Sequence, residues 1–299
     1  MVAKKPRTAF QKGQMIAKPP RSASPKVAKS IVKKSSLKKM PPRPDAKVQS
    51  SRDENGTSLS RMLGTLRLFS REKPVLSAEQ IGEGAGVPTS TAYRYVKELT
   101  KAGLLVRWKG GFALGPRIME LDLQIRECDP AIIAAAGPMR ELSLQSGLDV
   151  MLTKIYDRSI VTVHIESTGP GRVLNFGRGK PLPMFRGSSS KAIIAFLPAA
   201  RLRRLHEEGR AAGDPDALAH DWDEFYESMQ AIRKSGYCLS KGELNTGIEG
   251  MSAPIFGGDR AVIGSLTLLG DAHRMSLLRE EVLIQFLQDA AASVSQALS

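Results

Sequence analysis

Apolar positions fall into clear periods from residue 58 onward. Leu59, Met62, Leu63, Leu66 and Phe69 recur at spacings of three and four, which predicts an amphipathic helix ending before Pro74. Ser77, with Gln80 three residues on, predicts a second, short helix opened by a capping box. Ile81 and Ala85 supply its buried side, and Gly84 and Gly86 bracket a tight turn. A third helix is expected from Thr89 to Ala102, stopping at Gly103. Leu104–Trp108 and Phe112–Leu114 are strand-like, with Lys109-Gly110-Gly111 between them as a hairpin turn.

Three helices followed by a hairpin is the plan of a winged helix-turn-helix, placed here at residues 58–115. The faces of the third helix support it. Ala92, Tyr95, Val96 and Leu99 share one side and should pack inward, whereas Ser90, Tyr93, Arg94, Lys97 and Lys101 share the other. That outer side mixes hydroxyls, an aromatic ring and cations, the groups that reach base edges and phosphates in a major groove. Arg94, Lys97, Lys101, Arg107 and Lys109 are candidates for phosphate contacts. Ser90, Thr91 and Tyr93 are candidates nearer the bases, and Thr89 is a further DNA-binding candidate.

Residues 116–147 read as linker helices. Pro116, Ile118, Met119, Leu121, Leu123 and Ile125 precede Asp129-Pro130, which restarts the chain, and Ile132–Leu144 forms another helical stripe ending near Gly147. Residues 148–299 form a second domain. Strands are expected at Leu148–Tyr156, Ser159–Glu166, Val173–Phe176, Tyr237–Leu239, Met251–Phe256 and Ala261–Leu269. Helices are expected at Ser188–Leu197, Ala199–Glu208, Asp221–Lys234 and Ser276–Leu298, the last carrying Leu277, Val282, Leu283, Phe286, Leu287, Ala290 and Val294. The short connections between strands favour an antiparallel sheet flanked by helices, so the fold class is α+β.

Charge sharpens this picture. Residues 1–57 carry a net +12, residues 58–114 a net +5 and residues 115–299 a net −3. A cationic front on a near-neutral body suits a polyanion, above all double-stranded DNA. Residues 1–57 read as a disordered basic tail, because Lys, Arg, Pro and Ser dominate and no apolar period appears. An arm attracted to phosphates, a solvated leader upstream of a start at Met40 or Met62, and a transit peptide remain open readings. Two cysteines, Cys128 and Cys238, and four scattered histidines give no disulfide framework and no metal-ligand spacing. No apolar run is long enough to span a membrane. A cytoplasmic protein without metal or cofactor is expected.

Other chemistry is weaker. Ser188 and Lys191 form an S-x-x-K pattern, which in some acyl enzymes lets a lysine assist a serine. The companion motifs are missing, and an N-cap at Ser188 or Ser189, or an anion held at the helix start, are the other readings. Gly169-x-Gly171 and Gly177-x-Gly179 lack the continuation of a phosphate loop and read as turns. His164 reads as a structural strand residue. Asp221, Asp223, Glu224 and Glu227 read as an acidic helix start that complements the helix dipole.

Several fragments, in order, resemble one family. Gly86-Val87-Pro88-Thr89-Ser90-Thr91-Ala92-Tyr93-Arg94 resembles the recognition-helix entry of the isocitrate-lyase-regulator (IclR) family of bacterial transcription factors. Phe112-Ala113-Leu114-Gly115-Pro116-Arg117 is similar to that family's wing exit and linker. Further matches are Pro183, Ser190-Lys191-Ala192, Ala195-Phe196-Leu197-Pro198, Ser235-Gly236-Tyr237, Gly242-Glu243-Leu244, Gly247-Ile248 and Ala253-Pro254-Ile255. The resemblance covers about residues 58–299. It implies a winged helix-turn-helix joined to a GAF-like effector domain, acting on a promoter as a homodimer or homotetramer without enzymatic chemistry.

The resemblance also implies an effector pocket walled by Phe185, Gly187, Ser188, Ser189, Gly250, Met251, Thr267 and Leu269. Here Gly250 stands where a cysteine is usual and Phe185 where a histidine is usual. Ser190 precedes Lys191-Ala192 where glycine is expected, and Thr267 and Leu269 occupy the place of a polar pair. A pocket that has exchanged polar groups for apolar ones favours a hydrophobic or aromatic carboxylate over a two-carbon acid. The alternatives are an S-x-x-K serine hydrolase with a DNA-binding arm and an architectural DNA binder without effector.

Overall fold

The computed structural model describes residues 57–167 and 177–299. The basic segment up to residue 56, the Gly169-x-Gly171 turn and the strand expected at Val173–Phe176 lie outside the described residues.

The winged helix-turn-helix forms as three short helices and a hairpin. The first helical stripe is divided, with α1 at Ser58–Gly64 continued by a 3-10 turn at Thr65–Leu68. Leu59 and Leu63 face solvent, while Met62, Leu66, Leu68 and Phe69 reach the core. The expected single helix therefore gives way to a tighter second half. Helix α2 (Ala78–Ala85) opens with the full capping box between Ser77 and Gln80. Gly84 lies inside α2, and Gly86 alone makes the turn, as a left-handed C-cap at φ 65°. Helix α3 (Thr89–Lys101) buries Ala92, Tyr95, Val96 and Leu99, the four expected positions. Val96 and Leu99 pack with Leu76, Ile81 and Leu105. The buried Tyr95 also meets the Ser58 hydroxyl at 3.1 Å, which ties α1 to α3.

The wing consists of β1 (Leu105–Trp108) and β2 (Gly111–Leu114), paired antiparallel with Trp108 opposite Gly111. Its loop is thus two residues, Lys109 and Gly110, both at positive φ (43° and 82°). That is the backbone of the tight turn whose twist matches a hairpin. A single bridge from Leu76 to Phe112 adds a third strand segment at the other edge of β2.

Helix α4 (Pro116–Cys128) and helix α5 (Pro130–Ser146) follow. Asp129 caps α5 through the amides of Ala131 and Ile132, and Pro130 takes the first helical position, where a missing N–H costs nothing. No residue of α4 is buried.

The second domain is a six-stranded antiparallel sheet in the order β5-β4-β3-β8-β7-β6. Strands β3 (Asp149–Tyr156) and β4 (Ser159–Glu166) form the expected hairpin. The two-residue β5 (Pro181–Leu182) joins the edge beside β4. Gly177 and Gly179 form the turn that leads into it. Strands β6 (Cys238–Lys241), β7 (Ile248–Phe256) and β8 (Val262–Asp271) complete the sheet, with β7 starting three residues earlier than expected.

Helix α5 and a C-terminal helix cover one face, burying Met139, Leu142, Val150, Leu152, Met251, Leu266, Leu268 and Leu287. The expected Ser276–Leu298 helix is two helices, α10 (Ala272–Ser276) and α11 (Glu280–Ala297). Leu277 falls in the break and is exposed. The other face carries α6 (Ser188–Ile194), α7 (Ala199–Ala211), α8 (Pro215–Leu218) and α9 (Trp222–Ser235). Helix α6 is shorter than expected, α7 longer, and α8 was not legible as a helix. Asp221 caps α9, and Asp223 and Glu224 sit in its first turn. Among the described residues no helix is long and apolar enough to cross a membrane.

Candidate functional site

The candidates for DNA contact lie on the exposed face of α3 and on the wing. On α3, Thr89, Ser90, Tyr93, Arg94, Lys97 and Lys101 are exposed, and Thr91 is half-buried. Arg94, Lys97 and Lys101 have no ion-pair partner among the described residues, so their charge is available to a ligand. On the wing, Arg107 lies over the Phe112 ring and Lys109 over the Trp108 ring, each 6.0 Å from the centroid.

Tyr93 is held in a way its sequence neighbours do not announce. Its hydroxyl donates to Glu79 Oε1 of α2 at 2.9 Å. That bond, with the Glu79 charge behind it, raises the Tyr93 pKa, while Arg107 pulls the other way. The same carboxylate is held ionised by the Ser77 hydroxyl, its backbone and Tyr93. An acid thus sits among the cations of a surface that would meet phosphates. Glu79→Gln is expected to raise affinity for random-sequence duplex roughly two- to five-fold, the scale of one exposed charge contact. Anisotropy titration checks this, and unchanged affinity would show that the carboxylate does not oppose DNA.

The effector candidates divide between the two faces of the sheet. Gly187, Ser188, Ser189, Gly250 and Leu269 come together around a cleft of about 20 Å³, completed by Met151, Ser240, Leu244, Asn245 and Ile248. That volume holds about one water molecule. Thr267 lies beneath it, fully buried, with its Oγ1 2.8 Å from both Ser189 Oγ and Ser252 Oγ. Ser252 in turn donates to Ser188 Oγ at 2.8 Å, so four hydroxyls form one chain. Gly250 leaves just enough room for this, since a Cβ there would stand 2.8 Å from Ser188 Oγ. Leu244 packs over Gly187 from the β6–β7 loop and covers the opening.

Two candidates lie elsewhere. Phe185 is buried in an aromatic cluster, edge-on to Phe225 at 5.8 Å and to His206 at 6.1 Å. Met251 points to the opposite face of the sheet, in the core with α5 and α11. There it also lines a larger cleft of about 240 Å³ between β6–β7 and α10–α11.

The S-x-x-K pattern resolves differently from a nucleophile and its base. Lys191 Nζ donates to Glu243 Oε2 at 2.8 Å, and the Gly187 amide donates to the same oxygen at 2.9 Å. Burial opposes ionisation of Glu243, yet these bonds outweigh it and hold its pKa below the usual carboxylate value. The start of α6 is thus already occupied by the chain's own carboxylate. Neither Ser188 nor Ser189 is its N-cap, a position taken by Gly187. Burial pushes the Cys238 thiol up to about 12, which removes it as a nucleophile. His164 sits half-buried with Glu166 at 3.5 Å.

One further contact joins α4 to the second domain. Asp122 of α4 accepts from Arg178 Nη2 at 2.8 Å and Arg126 Nε at 2.8 Å. Those bonds, the Arg178 pair foremost, hold its carboxyl below the usual range. Neither Glu79 nor Arg178 was marked by sequence spacing, because both act across tertiary contacts.

Comparison with known proteins follows the same division. Residues 58–107 match the IclR helix-turn-helix domain, and residues 129–296 match the bacterial transcriptional regulator IclR C-terminal domain. The HTH-type transcriptional regulator KipR of Bacillus subtilis is 24% identical over 240 residues, covering 80% of this chain and 95% of that protein. An IclR transcriptional regulator from Alicyclobacillus acidocaldarius superposes with a TM-score of 0.69 at 22% identity, over 81% of this chain and 98% of its own. An IclR homolog from Microbacterium hydrocarbonoxydans, complexed with 4-hydroxybenzoate, superposes at 0.64 with 20% identity, over 81% and 99%.

Proposed function

The chain belongs to the IclR family of bacterial transcriptional regulators, with a helix-turn-helix DNA-binding domain and a C-terminal effector domain, and from that premise we propose how its own residues divide the work. Residues 58–115 bind an operator, residues 116–147 link and pair two copies, and residues 148–299 respond to a hydrophobic or aromatic carboxylate. Helix α3 lies in the major groove, with Ser90, Thr91 and Tyr93 toward base edges. Arg94, Lys97, Lys101, Arg107 and Lys109 meet phosphates, and Arg94, at the front of the exposed row, also reaches a base.

The observation that carries this reading is the unpaired row Arg94, Lys97 and Lys101 on the exposed side of a helix whose other side is fully buried. Arg94→Ala tests it on an operator selected from a random duplex pool. A loss of about 1–3 kcal/mol on the operator, with a smaller loss on random duplex, is the expected result. Equal losses on both would reduce Arg94 to a phosphate contact.

The effector reading rests on the cleft beside Ser188 and Ser189, whose wall joins Met151, Ile248 and Leu269 to a few hydroxyls. The relative complexed with 4-hydroxybenzoate supports the same ligand class. At about 20 Å³ the cleft admits such a ligand only after Leu244 and the β6–β7 loop move aside. The apparent affinity is then the intrinsic one multiplied by the fraction of open protein. That small volume also favours a second reading, a regulator whose pocket stays closed. Calorimetry with benzoate-class acids and with glyoxylate separates them. Heat from the aromatic acids alone supports the proposal, glyoxylate alone refutes it, and silence from both supports the closed pocket.

A further inference from the structure

Trp108 is a large apolar group with no structural duty. It ends β1 at the wing tip and is 54% exposed. Its cross-strand partner is Gly111, which has no side chain to cover the indole. Val106, two residues back on the same side of the strand, is exposed as well. Around Trp108 the charge is of one sign. Arg107 and Lys109 flank it, and the sequence holds no acidic residue between Glu98 and Glu120. The Lys109 ammonium sits 6.0 Å from the Trp108 ring centroid. The turn beyond it is only two residues long, both at positive φ. An exposed indole on a short, wholly cationic hairpin is a poor surface for water and a good one for a stacked polyanion.

We propose that Trp108 is a stacking wedge that enters the minor groove beside the α3 site and inserts against a base step, with Arg107 and Lys109 holding the flanking phosphates. An element that projects beside a helix lying in the major groove is placed to reach the adjacent minor groove, as the homeodomain arm does. That groove is about 6 Å wide, enough for a ring edge but not for a helix. Apolar wedges there pry adjacent base pairs apart and bend the duplex, at an unstacking cost met by new contact with the protein. The cost is least at pyrimidine–purine steps, so Trp108 adds preference for TA or CA/TG steps at a set distance from the bases read by α3. This inference rests on the DNA-binding reading above.

The chain has two tryptophans, so a Trp222→Phe variant leaves Trp108 as the sole reporter. The experiment titrates that full-length variant with 30-base-pair duplexes, one carrying central TA steps and one G·C-rich, while the anisotropy of a dye on the DNA reports binding independently. Quenching of Trp108 emission in step with the anisotropy, stronger on the TA duplex, is expected. In the otherwise native chain, Trp108→Ala should weaken binding about 5- to 150-fold, the scale of one base–aromatic stack, while Trp108→Phe keeps most of it. Neither should change the salt slope, which Lys109→Ala should reduce. Anisotropy that saturates with unchanged emission overturns the wedge while leaving the DNA reading intact. So does an emission change that follows protein concentration without DNA, which would place Trp108 between two copies. If neither duplex binds, the DNA reading fails and the wedge falls with it.

Discussion

Gly115→Ala is expected to destabilise the protein by about 3 kcal/mol, at the upper end for an inserted methyl. Gly115 is where the wing ends and α4 begins. Its amide donates to the Leu104 carbonyl at 2.8 Å, and the Arg117 amide donates to the Gly103 carbonyl at 3.2 Å. These two bonds stitch the exit of the wing to the turn after α3. A Cβ on Gly115 would collide with the carbonyl oxygen of Gly103 and crowd the carbonyl carbon of Leu104. Both are backbone, and the first is pinned by Arg117, so no rotamer change relieves the overlap. The wing must lift away from α3 or α4 must change its start. A loss of this size lowers Tm by roughly 6–12 °C for a unit of this length.

Gly64→Ala is the internal control. It is exposed at the end of α1 with helical φ and ψ of −58° and −25°, and an added Cβ there meets nothing within 4 Å. That change should stabilise by about 0.5–1 kcal/mol, because alanine loses less backbone freedom in a helix. Thermal unfolding of both variants measures the contrast. Equal Tm values would mean the wing exit is not stitched as described.

Helix α3 and the wing were legible because their rules are local. A buried stripe at three- and four-residue spacing and a capping box act within one turn of chain, and the structure keeps all of them. Features that depend on distant packing were not legible. The bond from Tyr93 to Glu79 crosses from one helix to another, and the two-residue β5 contains a proline and is too short to show a period. Leu277, read as the start of the last helix, lies six residues before Leu283 and off the stripe that α11 buries; the helix is interrupted there, and the side chain projects into solvent.

The effector wall teaches something sharper. Gly250 and Met251 are neighbours in one strand, and side chains in a strand alternate between faces. Only one of them can border a given cleft with its side chain, and it is the position of Gly250 that faces α6. The period of two was available in the sequence and excludes Met251 from the same wall. Thr267 and Leu269, two apart in β8, do share the α6 face. The burial of Phe185 among His206 and Phe225 has no such local signature, since those rings come from α7 and α9.

For the homodimer proposed above, Leu121→Asp, or Ile125→Asp, is expected to give monomers and to weaken operator binding by about 10²–10⁴, the factor gained by linking two half-site contacts. Helix α4 has no buried residue, yet Ile118, Leu121 and Ile125 lie at spacings of three and four along one stripe. Leu121 and Ile125 are 37% and 49% exposed. An apolar stripe left open along a whole helix is the surface an oligomer covers. Asp122, on an adjacent side of the helix, is engaged by Arg178 and Arg126, so α4 is tied to the effector domain on one side and free on the other. Two copies of α4 packed along the stripe would join two winged helices about a two-fold axis, which is what a palindromic operator requires. An aspartate in the middle of that seam would place two like charges in an apolar contact. Light scattering at micromolar concentration reads the oligomer, and operator titration reads the affinity. Leu144→Asp, at an equally apolar and 75% exposed site on α5, serves as the comparison and should leave both unchanged. A Leu121→Asp protein that remains dimeric and binds its operator normally would place the two-fold contact elsewhere than α4.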